Sequence, residues 1–255
     1  MRKTCILFCL VLIHVTGACH TVSPQKPLIG ITSVYKDNSN SVSYNYVRAI
    51  EQNGAIPLIL PTVENEATIE TYVRKLNGLV LIGGADIPPA AYDQTPHPTV
   101  KIMAHKRYRF EHRLIRKWLN TGKPLLGVCL GMQFANVVSG GTMIQDIPSQ
   151  IGKQVDHQCG KRLHSITIDP SSNLARILNS TRAHVHSSHH QAVKEIGRNL
   201  KPVARSDDGI VEALERTDGH FGLFVQWHPE AMTENLQHRD AIYSALIEAC
   251  LESRR

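Results

Sequence analysis

A chain of 255 residues, 42% apolar and 20% charged, is long enough to bury a substantial core without cross-links and too apolar for wholesale disorder. Its formal charge of +6 comes from 28 basic and 22 acidic residues spread without long like-charge runs, and aromatics are only 5%, which argues against a nucleic-acid partner. Six cysteines are too sparse for a disulfide scaffold.

The chain opens on Arg2-Lys3, an apolar run over 5–15 (CILFCLVLIHV) and the small residues Thr16-Gly17-Ala18-Cys19. That order reads as an export signal cleaved near Ala18. The apolar run is short of the roughly 20 residues that span a bilayer, so a permanent anchor helix is not expected. Cys19 directly after Gly17-Ala18 resembles a bacterial lipoprotein box. Membrane attachment through a lipidated Cys19 is therefore one expectation and simple cleavage the other. The expected location is exported, periplasmic or envelope-associated, with a cytoplasmic location as the alternative. Residues 1–24 are set aside as leader and short linker, and 25–255 read as one domain. Cys159 and Cys250 could pair in an oxidising compartment or stay reduced, and sequence leaves both open.

Residues 27–33 (PLIGITS) are a strand candidate. Residues 43–52 carry Tyr46, Val47 and Ile50 at helical spacing, with Asn53-Gly54 as C-cap. A second strand over 55–60 (AIPLIL), a second helix over 64–76 and a third strand over 78–82 (GLVLI) follow, the last running into Gly83-Gly84. A third helix is expected over 107–120, a fourth strand over 124–128 (PLLGV), and a further helix from Gly131 to Ser139. This alternation implies parallel pairing with helices on both sheet faces. The texture then changes. Stretches 164–168, 183–186, 202–205, 210–215 and 222–227 are closely spaced short strands with little helix between them, before a closing helix over 235–251. The fold expected is α/β, a mostly parallel central sheet flanked by helices with an added antiparallel strand region.

Gly127-Val128-Cys129-Leu130-Gly131 sits where the strand PLLGV ends and a helix begins. This is the glycine-x-nucleophile-x-glycine pattern with sulfur as nucleophile. The turn is sharp enough to strain the nucleophile's backbone, and the flanking glycines let neighbouring segments come close. The following helix aims its N-terminal N–H groups at the sulfur, which favours thiolate, and Leu130 N–H is placed to stabilise an oxyanion.

A thiolate hydrolase needs an imidazole to take and return protons. Of 14 histidines, His228 stands out, because it follows an apolar strand and precedes Pro229-Glu230. An extended His228 would project to the same side as Glu230, which could then hold the imidazole's tautomer and orientation.

Taken together, Gly127 to Gln133 (GVCLGMQ) and Val225 to Glu230 (VQWHPE) resemble the class I glutamine amidotransferase superfamily. Gly83-Gly84-Ala85-Asp86-Ile87-Pro88-Pro89 with Tyr92, and Ser187-Ser188-His189-His190-Gln191-Ala192-Val193, are similar to gamma-glutamyl-gamma-aminobutyrate hydrolases and their relatives. The resemblance implies a flavodoxin-like sheet and a triad of Cys129, His228 and Glu230. It implies an oxyanion hole of Leu130 with Gly84 or Gly83, Gly84 preferred. Gln133 would line the glutamyl pocket, with Ser188, His189, His190 and Gln191 near the substrate.

The expected activity is hydrolysis of gamma-glutamyl amides through a gamma-glutamyl thioester, releasing glutamate. The alternatives are a glutaminase subunit that passes ammonia to a partner synthetase, and a non-catalytic protein that binds a glutamyl ligand. No cofactor is called for. A small-molecule gamma-glutamyl substrate is the expected partner, and a homodimer stays open. A metal at Ser187-Ser188-His189-His190 is not expected, because adjacent histidines do not share one face and no carboxylate nearby completes a site.

Overall fold

A computed structural model describes residues 25–158, 163–233 and 235–253. The leader with Cys19 lies outside the described residues, and so does Cys159, with any pairing to Cys250. The first half runs β1 (Leu28–Ile31), β2 (Val34–Lys36), β3 (Ser39–Ser41), α1 (Tyr44–Gln52), β4 (Ile56–Ile59), α2 (Glu66–Lys75), β5 (Gly78–Leu81), α3 (His105–Leu119), β6 (Leu125–Val128) and α4 (Leu130–Val138). The second half runs β7 (Met143–Ile144), α5 (Ile147–Gln150), β8 (Leu163–Ile168), α6 (Asn173–Leu178), β9 (Arg182–His186), β10 (Ala192–Val193), β11 (Leu200–Ser206), β12 (Val211–Arg216), β13 (Gly222–Val225) and α7 (Leu236–Glu252).

A nine-stranded sheet has the order β4-β1-β5-β6-β13-β12-β11-β8-β9. Pairing is parallel from β4 through β13 and antiparallel from β13 through β9. The expected parallel core with an antiparallel extension is thus one continuous flavodoxin-like sheet. Successive side chains of a strand point to opposite faces, and both faces are covered. Leu79 and Leu81 pack with Ile69 of α2, Phe110 and Leu114 of α3 and Phe134 of α4. Val80, Leu126 and Val128 pack with Ile50 of α1 and Ile242 and Leu246 of α7. Burial on two faces explains why these strands read as unbroken apolar runs.

The helices start where polar side chains cap them. Ser43 Oγ accepts Asn45 N–H at 3.4 Å, and Asn65 Oδ1 accepts Thr68 N–H at 3.0 Å; such caps satisfy amides that have no partner within the helix. Several short elements were not expected, among them a hairpin and a helix. The β2–β3 hairpin turns on Asp37 and Asn38, both at positive φ (49° and 58°), a conformation these residues tolerate. Helix α6 interrupts the antiparallel strands, held at its start by Ser172 and by Glu215 Oε1, which accepts Leu174 N–H at 2.7 Å.

His238 of α7 is buried edge-on against Trp227, ring centroids 5.8 Å apart, and its Nε2 has no hydrogen-bond partner among the described residues. Burial lowers its pKa from 6.5 to about 4. The unfolded chain therefore takes up a proton before the folded one as pH falls, so stability declines between pH 6.5 and about 4. The shift corresponds to about 3 kcal/mol at full protonation. His238→Phe keeps a ring against Trp227 and removes the titration. Its Tm should fall less steeply across this window than that of the unaltered chain, and identical acid slopes would dismiss the assignment.

Candidate active site

The carboxyl ends of the parallel strands β5, β6 and β13 deliver Gly83-Gly84, Cys129 and His228 to one edge of the sheet, where open α/β sheets place their sites. Cys129 lies between β6 and α4 at φ 52°, ψ −107°, a region costly for any residue with a Cβ. The bend is pinned by Cys129 N–H donating to Val225 O at 2.8 Å. A Cβ on Gly131 would lie 2.3 Å from Leu81 O, and one on Gly127 would lie 2.7 Å from Phe224. Both glycines are therefore needed for close approach.

His228 lies beside Cys129, a Cβ on Gly83 being 2.9 Å from its Cε1 and 3.7 Å from Cys129 Cβ, and its Nδ1 meets Glu230 Oε1 at 2.7 Å. The two residues do not converge through extended chain, as the sequence suggested. Pro229–Ala231 is a 3₁₀ turn, so one tight turn brings Glu230 back onto the ring. His228 N–H donates to His186 O at 3.0 Å, which ties the turn to the end of β9. Burial opposes charge on His228, but Cys129 beside it and Glu230 behind it prevail and raise its pKa well above the imidazole range.

Leu130 is the first residue of α4, and such an N–H has no acceptor within its helix. Gly83 N–H already donates to Tyr46 Oη at 3.3 Å, which leaves Gly84 as the second oxyanion candidate. Burial, then the charge of nearby Glu230, raise the Tyr46 pKa well above that of a free phenol. Arg107 supports the same loop. Its Nη2 donates to Gly83 O at 3.2 Å, and a Cβ on Gly84 would lie 2.2 Å from its Nη1. Sequence reasoning took Tyr46 as an apolar face residue and passed over Arg107.

The residues expected near substrate divide. Gln133 is buried, its Nε2 donating to Gln191 O and Gln226 Oε1, both at 3.2 Å. Ser188 is exposed. His190 is clasped between Asp86 (Nε2 to Oδ2, 3.1 Å) and Asp146 (Nδ1 to Oδ1, 3.2 Å), so it joins two loops. The bonds to Asp86, ahead of the cost of burial, raise its pKa. Gln191 and His189 turn inward. Gln191 Nε2 is spent on Gln145 O at 3.2 Å, and the His189 ring is turned into a buried cluster with His157, His164 and Glu212. Interior partners hold both side chains.

A cysteine at a strained strand-to-helix bend, backed by histidine and glutamate on such a sheet, defines a class I glutamine amidotransferase-like protein. The chain belongs to the Peptidase C26 family, a family of hydrolases, whose signature matches residues 22–230. It is 38% identical over 212 residues to Protein NtpR of Enterococcus hirae, spanning 80% of this chain and 87% of that protein. It is 26% identical over 231 residues to the gamma-glutamyl-gamma-aminobutyrate hydrolase PuuD of Escherichia coli K12, spanning 83% and 87%. A solved structure described as a GMP synthase subunit from Thermoplasma acidophilum matches with TM-score 0.63 over 90% of this chain and 97% of that chain, at 19% identity. That likeness is one of fold.

Proposed function

We propose that the protein hydrolyses gamma-glutamyl amide bonds through a gamma-glutamyl thioester on Cys129 and releases glutamate. The reading rests on one observation: Cys129 sits at a strained bend beside His228, which Glu230 holds at 2.7 Å. The hydrolase name of the relative PuuD supports the choice of substrate.

The sulfur attacks the gamma-carbonyl carbon, and the thiol proton resides on His228. The carbonyl oxygen gains charge and turns towards the N–H groups of Leu130 and Gly84. Collapse breaks the C–N bond as His228 gives its proton to the leaving amine. Water then enters, loses a proton to His228 and displaces the sulfur, so glutamate leaves and the thiol is restored. Glu230 keeps Nδ1 protonated and Nε2 facing the sulfur throughout.

Gamma-glutamyl amines with varied leaving groups, assayed for free glutamate, test this. Release from at least one of them, abolished in a Cys129→Ala variant, is the expected result. A chain that yields glutamate from none would lose the assignment.

Export belongs to the same proposal, motivated by the apolar run and small residues before Cys19. The mature protein should begin at or near Cys19 with or without lipid, which intact-mass measurement reads directly. A mature mass that retains Met1 to Ala18 contradicts it.

A further inference from the structure

We propose that His157, His164, His189 and Glu212 form a closed Zn²⁺ site that fastens the 187–191 loop to the antiparallel half of the sheet. Each residue offers one donor atom, and the four donors lie within 4.8 Å of one another. Glu212 Oε1 stands 3.2 Å from His157 Nδ1, 3.6 Å from His164 Nε2 and 3.8 Å from His189 Nε2. A tetrahedral zinc with bonds of about 2.0–2.1 Å separates its ligands by about 3.3 Å, so side-chain shifts of up to about 1.5 Å draw the donors in to complete the site.

The cluster is buried and four of its polar atoms are unanswered. Side-chain exposure is 2% for His157 and His189, 9% for His164 and 0% for Glu212. His157 Nδ1, His189 Nε2 and both Glu212 carboxylate oxygens have no hydrogen-bond partner among the described residues. The 3.2 Å approach of His157 to Glu212 thus lacks hydrogen-bond alignment. A metal taking one lone pair from each residue would account for those unpaired atoms. A buried carboxylate without a donor is otherwise too costly to expect.

The outer partners also fit. Metal-bound imidazoles commonly donate their second N–H to a carboxylate or carbonyl. Here His157 Nε2 meets Asp208 Oδ2 at 3.0 Å, His189 Nδ1 meets Gln191 O at 2.9 Å, and His164 Nδ1 meets Ser165 O at 3.3 Å. His164 Nε2 holds Ser187 Oγ at 2.7 Å, a bond the metal would replace. A cleft of about 490 Å³ reaches His157 and His189 and gives an entry path. Three imidazoles and one carboxylate suit zinc, and four protein donors leave no position for substrate.

The consequence is mechanical. His189 stands between His186, whose carbonyl receives His228 N–H, and Gln191, whose carbonyl receives Gln133 Nε2. A metal on His189 would brace both. Adjacent histidines with no carboxylate near in sequence gave no reason to expect a metal at Ser187-Ser188-His189-His190. The missing ligands arrive through the sheet, Glu212 from β12 and His164 from β8.

The test uses the full chain, loaded with zinc, desalted and measured by elemental mass spectrometry. About one zinc per chain is expected, since four donors define one closed site, with a fall in Tm on chelation. His189→Ala and Glu212→Gln should retain only traces, and Asp208→Asn should weaken binding about 10–100-fold. Because ligand variants can fail to fold for other reasons, Co²⁺ is also loaded into the unaltered chain. It should give tetrahedral visible bands without thiolate charge-transfer absorption, unchanged by Cys129→Ser. Failure of the unaltered chain to hold zinc, a thiolate-type cobalt spectrum, or full zinc retention by folded His189→Ala would each overturn the site.

Discussion

Cys129→Ala should lower kcat for gamma-glutamyl amide hydrolysis by about 10⁴-fold or more, with little change in Tm. The activity loss follows from removing the nucleophile, whose loss in comparable triads abolishes nearly all covalent catalysis. The small stability effect follows from geometry, because Ala must occupy the same φ of 52° and gives up only a sulfur. Cys129→Gly separates the two effects. Relief of strain at such a bend contributes about 1–3 kcal/mol, and glycine's extra unfolded freedom costs about 0.5–1 kcal/mol. Strain wins, so the Gly variant should melt at or above the Ala variant while being equally inactive. A folded Ala variant that keeps more than about a hundredth of the turnover removes Cys129 from the chemistry.

Cys129 was legible because a sharp strand-to-helix turn demands glycines at fixed spacing, and chain-local demands are written in chain-local residues. His228 and Glu230 were legible as a pair for the same reason, although a 3₁₀ turn rather than extended chain makes them converge. The parallel strands were legible because burial on both faces forces continuous apolar runs. What stayed hidden depends on tertiary burial of charge. Glu212 lies in a strand (VEALER), where a carboxylate ordinarily reads as solvent-facing, yet its side chain is wholly enclosed. His157 lies in irregular chain with no periodicity to mark it. Arg107 and Glu111, four apart on α3, read as an ordinary exposed helix pair. Arg107 is buried under the Gly83-Gly84 loop, and Glu111 is buried with it.

That buried pair yields the second large effect. Arg107 Nε donates to Glu111 Oε1 at 2.6 Å, with the side chains 2% and 0% exposed. Burial raises the Glu111 pKa, and the guanidinium offsets this only in part. Glu111→Leu would leave an unpaired guanidinium in the interior, and breaking a buried pair from one side costs about 3–5 kcal/mol. A chain of ordinary stability has about 5–15 kcal/mol in all, so this variant should sit near its folding limit at 37 °C. Replacing both partners removes the uncompensated charge, and apolar pairs of similar volume are often neutral. Arg107→Met with Glu111→Leu should therefore recover most of the lost unfolding free energy in denaturant titrations. Activity should not recover with it. The guanidinium holds Gly83 O at 3.2 Å, and loosening the oxyanion loop by about 1 Å is expected to lower kcat about 100-fold. A double variant that regains both stability and full turnover would show that Arg107 only fills space. One that regains neither would show that the pair's charge itself stabilises the fold.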